Sequence, residues 1–102
     1  MRAYEKYKRP KGKADDFGTM LRLIRVRFYM TQEMFAGMVG TSLSNIKSWE
    51  LGYQLPNFDN LEKVVASILD HKKDKDFNVS DDDVILLEEL YERGKAKVDE
   101  GR

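Results

Sequence analysis

Thr31-Gln32-Glu33-Met34-Phe35-Ala36-Gly37-Met38-Val39-Gly40-Thr41-Ser42-Leu43-Ser44-Asn45-Ile46-Lys47-Ser48-Trp49-Glu50 is the stretch that decides the fold. Thr31 stands where a helix cap is needed, and Phe35, Ala36 and Val39 follow at the spacing that turns them to one inward face. Gly40 ends that helix, because a left-handed residue closes it and glycine adopts this conformation without a Cβ penalty. Ser42 caps a second helix, which buries Ile46 and Trp49 and stops near Gly52. The reading is two short helices joined at a tight glycine turn.

Upstream, Phe17, Leu21, Ile24 and Phe28 lie on one helical stripe, with Arg22, Arg25 and Arg27 elsewhere around the helix. Asp15 or Asp16 suits the positive end as N-cap. Downstream, Pro56-Asn57 starts a helix running roughly from Phe58 to Leu69, with Leu61, Val64, Val65 and Ile68 available for the core. Asp70 to Asn78 is a mixed-charge connector in which Phe77 is the one core candidate. Ser80, with Asp83 three residues on, then gives a capping-box-like start to a fifth helix. Val84, Leu87, Tyr91 and Val98 form its seam, widened by Ile85, Leu86 and Leu90. That is more apolar surface than an isolated helix leaves in water, so the helix must dock on its own domain or on another subunit. The expected organisation is a basic arm at residues 1–14, a bundle of four short helices at 15–70, a charged connector at 71–79 and a C-terminal amphipathic helix at 80–102. Pro10 and Gly12 break any helix in the arm, where Tyr4 and Tyr7 could pack on the domain.

A chain of 102 residues fits one domain with a modest core. The absence of cysteine excludes disulfides, thiolate metal sites and cysteine nucleophiles. The lone His71, beside Lys72 and Lys73, builds no metal cluster and reads as an exposed side chain. No apolar run approaches the roughly 18 residues of a membrane span, and no signal peptide is visible, so the expected compartment is the cytoplasm. No nucleophile–base pair or phosphate-cradling glycine loop is present, and Asp81-Asp82-Asp83 suits a helix start better than a metal site; an enzyme is not expected, nor any catalytic residue, metal or cofactor. Net charge is zero, yet residues 1–58 hold ten Lys/Arg against five Asp/Glu, and residues 59–102 hold eight against thirteen. A basic half offers a footprint for phosphates, and an acidic half stays clear of them. An unevenly charged solvated surface is the plain alternative, as a solubilising tail is for the arm.

Thr31-Gln32-Glu33 with Phe35-Ala36, then Val39-Gly40-Thr41, then Ile46, Glu50, Gly52 and Pro56, resemble the Xre/Cro-type (lambda-repressor-like) helix-turn-helix family of phage and bacterial repressors, across residues from about 17 to 69. The resemblance implies an all-α, lambda-repressor-like bundle of four short helices, here with a C-terminal fifth. It further implies that the third helix enters the major groove of double-stranded DNA as part of a homodimer. Base contacts would then come from Leu43, Ser44, Asn45, Lys47 and Ser48, and phosphate contacts from Thr31, Gln32, Ser42, Tyr53 and Gln54. Family members often carry Gln or Arg at the reading positions; Ser44 and Ser48 specify little alone, which shifts readout toward DNA shape and the arm. The resemblance also implies a partly buried structural ion pair between Arg25 and Glu50. Trp49, where the family usually has an aliphatic residue, reads as core.

The leading expectation is a sequence-specific DNA-binding transcriptional regulator, a repressor that blocks polymerase from its operator. A second reading is the antitoxin of a toxin–antitoxin pair that autoregulates its operon, with the acidic half from Asp59 to Arg102 facing a basic toxin. A third is a protein-interaction module on the same fold that does not bind DNA. Steep salt dependence of binding separates the DNA readings from this one.

Overall fold

The computed structural model describes residues 16–74 and 77–100, so the basic arm, Tyr4, Tyr7, Asp15 and the connector residues Lys75 and Asp76 lie outside the described residues. The described chain is all-helical: α1 (Asp16–Arg27), α2 (Gln32–Val39), α3 (Leu43–Leu51), α4 (Phe58–His71) and α5 (Asp81–Glu100).

Local chemistry sets most of the helix ends. Thr31, Ser42 and Asn57 have extended backbones, and their side-chain oxygens accept from the amides of Met34, Asn45 and Asn60. Gly40 (φ 84°) and Gly52 (φ 80°) supply the left-handed residues that close α2 and α3. In α5 the box is reciprocal: Asp83 N–H donates to Ser80 Oγ at 3.2 Å, and Ser80 N–H donates to Asp83 Oδ2 at 2.9 Å. Tyr29, just past α1, also takes a left-handed conformation (φ 59°), which costs a non-glycine residue about 1 kcal/mol; its ring points into solvent.

The core gathers one face from every helix. Phe17, Leu21 and Ile24 of α1 and Phe28 just past its end are buried, joined by Met20 on the same stripe. Phe35, Ala36 and Val39 come from α2, Ile46 and Trp49 from α3, and Leu61, Val64 and Ile68 from α4. Buried Val84, Leu87, Leu90 and Tyr91 place α5 against this same core, chiefly against α1 and also against α4. The Phe17 and Tyr91 rings meet edge to face at 5.8 Å. Asp83 Oδ2 also receives Arg27 Nη1 at 3.2 Å, so the group that caps α5 ties it to α1.

Three expectations need correction. Val98 is 49% exposed rather than part of the seam. Twenty residues of α5 run about 30 Å and outlast the twelve of α1, about 18 Å, so among the described residues α1 does not extend alongside the far end of α5. The connector supplies a second core residue, Val79, which is 5% exposed. His71 is half-buried, with its ring 4.7 Å from Phe28 and stacked 4.9 Å from Phe77; α4 runs two residues past Leu69 and carries the imidazole into this cluster.

Candidate nucleic-acid interface

Ile46, Trp49 and Glu50 fall three and four residues apart, so a helix puts all three on one side. That side of α3 is buried, and Glu50 is only 1% exposed. A carboxylate there is tolerable only with partners. Arg25 of α1 provides a fork: Nε donates to Glu50 Oε2 at 2.7 Å and Nη2 to Oε1 at 3.0 Å. The remaining Arg25 nitrogen, Nη1, donates to the Met30 carbonyl at 2.9 Å and so fixes the loop between α1 and α2. Gln32 Nε2 completes the network by donating to Glu50 Oε1 at 3.1 Å. One carboxylate thus joins α1, α2 and α3, and sets the rotation of α3 about its own axis.

With that side fixed, the opposite face of α3 carries Ser44, Lys47, Ser48 and Leu51. Ser44 and Lys47 are exposed, and Leu51 is 49% exposed. Leu51 was not among the expected contact residues; counting 3.6 residues per turn from Lys47 and Ser44 would have found it. Leu43 and Asn45 sit on the two flanks, both half-buried. Asn45 Nδ2 donates to Thr41 Oγ1 at 2.9 Å, which aims this amide at the turn.

Of the expected phosphate residues, Thr31, Gln32 and Ser42 sit at helix starts, and Tyr53 and Gln54 lie past the end of α3. Thr31 Oγ1 accepts from Met34 N–H at 3.1 Å and Ser42 Oγ from Asn45 N–H at 3.0 Å. Each hydroxyl keeps its own hydrogen to donate outward. Gln32 has committed one amide hydrogen to Glu50, leaving its other hydrogen and its oxygen for a ligand. Tyr53, 77% exposed, and Gln54 follow α3, where the Tyr53 N–H closes on the Ser48 carbonyl at 3.0 Å.

A contact that sequence spacing does not reveal lies behind the site. A Cβ added to Gly18 of α1 would sit 2.4 Å from the Trp49 carbonyl oxygen and 2.7 Å from that of Glu50. Only glycine lets α1 approach the end of α3 this closely.

The electrostatics are sparse. Residues 16–58 carry Arg22, Arg25, Arg27 and Lys47 against Asp16, Glu33 and Glu50, and the Arg25 and Glu50 charges offset each other. The basic surplus of the first half belongs mainly to residues 1–14, with Arg2, Lys6, Lys8, Arg9, Lys11 and Lys13.

Residues 21–67 match a family model described as helix-turn-helix. No curated protein and no solved structure matches the chain.

Proposed function

Through residues 21–67 the chain belongs to the Xre/lambda-repressor-like helix-turn-helix family, and we propose that it is a transcriptional repressor that binds a specific operator as a homodimer. The observation that carries this reading is the outer face of α3, Ser44, Lys47, Ser48 and Leu51, held in one orientation by the buried Arg25–Glu50–Gln32 network. A helix of nine residues is about 13 Å long and enters a major groove about 12 Å wide. In this arrangement Ser44 and Ser48 meet base edges, Leu51 and Leu43 offer apolar contact to thymine methyls, and Lys47 reaches a base or the adjoining phosphate. Thr31, Gln32 and Ser42 hold the flanking backbone with the free amides of two helix starts.

Since Lys47 is the one cation on the outer face of α3, residues 1–14 bring most of the phosphate-neutralising charge. Two copies related by a two-fold axis place their α3 helices in successive major grooves, about 34 Å apart, and read a palindrome. Repression is steric, by occupation of the promoter, and takes place in the cytoplasm. Among the described residues no helix is long and apolar enough to cross a membrane.

The test is selection of the full chain on randomised duplex DNA at two salt concentrations. Enrichment of a short palindrome, weakening as salt rises, is the expected result. Salt-sensitive binding without enrichment refutes sequence-specific reading, and no binding at low salt refutes DNA binding altogether.

A further inference from the structure

Helices α4 and α5, with no lining residue from α3, leave a groove of about 270 Å³ between them. Its floor and one wall are apolar, from Phe58, Val65, Ala66 and Leu69 of α4. Phe58 is 60% exposed although it begins a helix otherwise well packed. From Phe58 to Leu69 the stripe runs about 16 Å, three helical turns. The polar members of the lining are Glu62 of α4 and Glu88 of α5, both exposed. Ile85, 52% exposed, lies three residues before Glu88 and extends the same flank. Over the described side chains of the two helices, exposed carboxylates outnumber exposed Lys and Arg by two to one.

We propose that this groove is the docking site for a basic amphipathic helix of another protein, whose apolar stripe lies along Phe58 to Leu69 and whose Lys or Arg side chains meet Glu62 and Glu88. Groove length and composition fit the helix-in-groove mode, in which apolar anchors recur at three- and four-residue spacing. Charge selects the occupant. Carboxylates on the rim repel phosphates, so the groove is no extension of the DNA face. Pairing this groove with its own copy about a two-fold axis sets Glu62 and Glu88 against the same acids, a like-charge contact that interfaces avoid. A partner bearing positive charge beside its apolar stripe satisfies both walls. The proposal is independent of DNA binding, because neither Glu62 nor Glu88 lies on α3 or at the start of α2.

The test uses the full chain, isotopically labelled, and three synthetic 14-residue peptides. Two share one leucine stripe and carry either Lys or Glu on its flanks; the third scrambles the Lys peptide at constant charge. The Lys peptide should bind and shift the amide signals of Phe58, Glu62, Ala66, Leu69 and Glu88, while the other two bind at least tenfold more weakly. The double variant Glu62→Lys/Glu88→Lys, at exposed positions, should melt like wild type and reverse the preference between Lys and Glu peptides. Equal binding of the scrambled peptide, shifts elsewhere on the protein, or an unchanged preference in the double variant overturns the proposal. So does a change in sedimentation caused by the double variant, which assigns the groove to a second copy. Movement of the amide signals of residues 1–14 in that variant assigns the groove to the chain's own arm and overturns the proposal as well.

Discussion

Replacing Gly18 by alanine sets two opposing effects against each other. In a helix interior alanine is favoured over glycine by about 0.8–1 kcal/mol, so on propensity alone α1 should gain. The new Cβ would fall 2.4 Å from the Trp49 carbonyl oxygen and 2.7 Å from that of Glu50, and both are backbone atoms with no rotamer to change. Carbon–oxygen contacts of this kind settle near 3.3 Å, so α1 and the last turn of α3 must part by about 0.9 Å. Overpacking of that order costs about 1–3 kcal/mol. The same displacement pulls on the 2.7 Å bond between Arg25 and Glu50, which has little reach left beyond about 3.2 Å. The clash wins, with a net loss of about 1 kcal/mol, or about 6 °C in melting temperature for a domain of this size. Trp49 is the one tryptophan and is 2% exposed, so its fluorescence reports urea unfolding of the full chain directly. Gly37→Ala is the internal control: a Cβ there meets nothing within 4 Å, and the variant should gain about 0.5–1 kcal/mol. If Gly18→Ala unfolds at the same urea concentration as wild type or higher, the close approach of α1 to α3 is refuted.

Other substitutions probe the remaining parts. Glu50→Ala leaves the Arg25 guanidinium buried and short of two acceptors, for an expected loss of about 3–5 kcal/mol; a melting point within 3 °C of wild type, by about the scale of fractions of a kcal/mol, would sink the claim that the pair organises the bundle. Lys47→Ala should lower the slope of log affinity against log salt by about 1 if Lys47 meets a phosphate; an unchanged slope with an altered enriched sequence assigns it to a base. Burial first, and the neighbouring Glu92 charge second, raise the Tyr91 phenol above its ordinary value of 10.0. The folded state therefore holds this proton more tightly than the unfolded chain, and the associated stability is complete below pH 10 and lost as pH rises through the raised value. Tyr91→Phe should flatten that part of the alkaline decline, read as urea midpoints from pH 9 upward; an unchanged decline contradicts the assignment.

What the sequence showed clearly is what local chemistry controls. Thr31, Ser42, Asn57 and Ser80 each satisfy an amide three residues on, and the left-handed closures at Gly40 and Gly52 follow from residue type. The stripes of α1 to α4 were legible because three- and four-residue spacing has one consequence in a helix. The Arg25–Glu50 pair was legible through the family resemblance alone, because no spacing along one chain shows that two distant charges meet. Gly18 carried no signal, because its neighbours are main-chain atoms some thirty residues away whose approach depends on how two helices cross. Val79 and His71 were hidden by their charged surroundings, where a lone apolar or aromatic side chain has no period to reveal it. For α5, periodicity established an apolar face without naming what covers it. The packing of Phe17 against Tyr91 and of Arg27 against Asp83 supplies the answer for half its length.

Asp83 finishes the first turn of α5 and grips Arg27 of α1 with the same oxygen. The unit that ancestry marks out and the unit that mechanics requires therefore have different borders. The matched segment, residues 21–67, omits Phe17, Gly18 and the whole of α5. Yet the four large apolar side chains that α5 buries supply on the order of 8 kcal/mol of gross stabilisation, comparable with the entire net stability of about 5–15 kcal/mol usual for a domain. Anyone grafting this helix-turn-helix segment onto another protein must carry the C-terminal helix with it, or the graft will lack a keel.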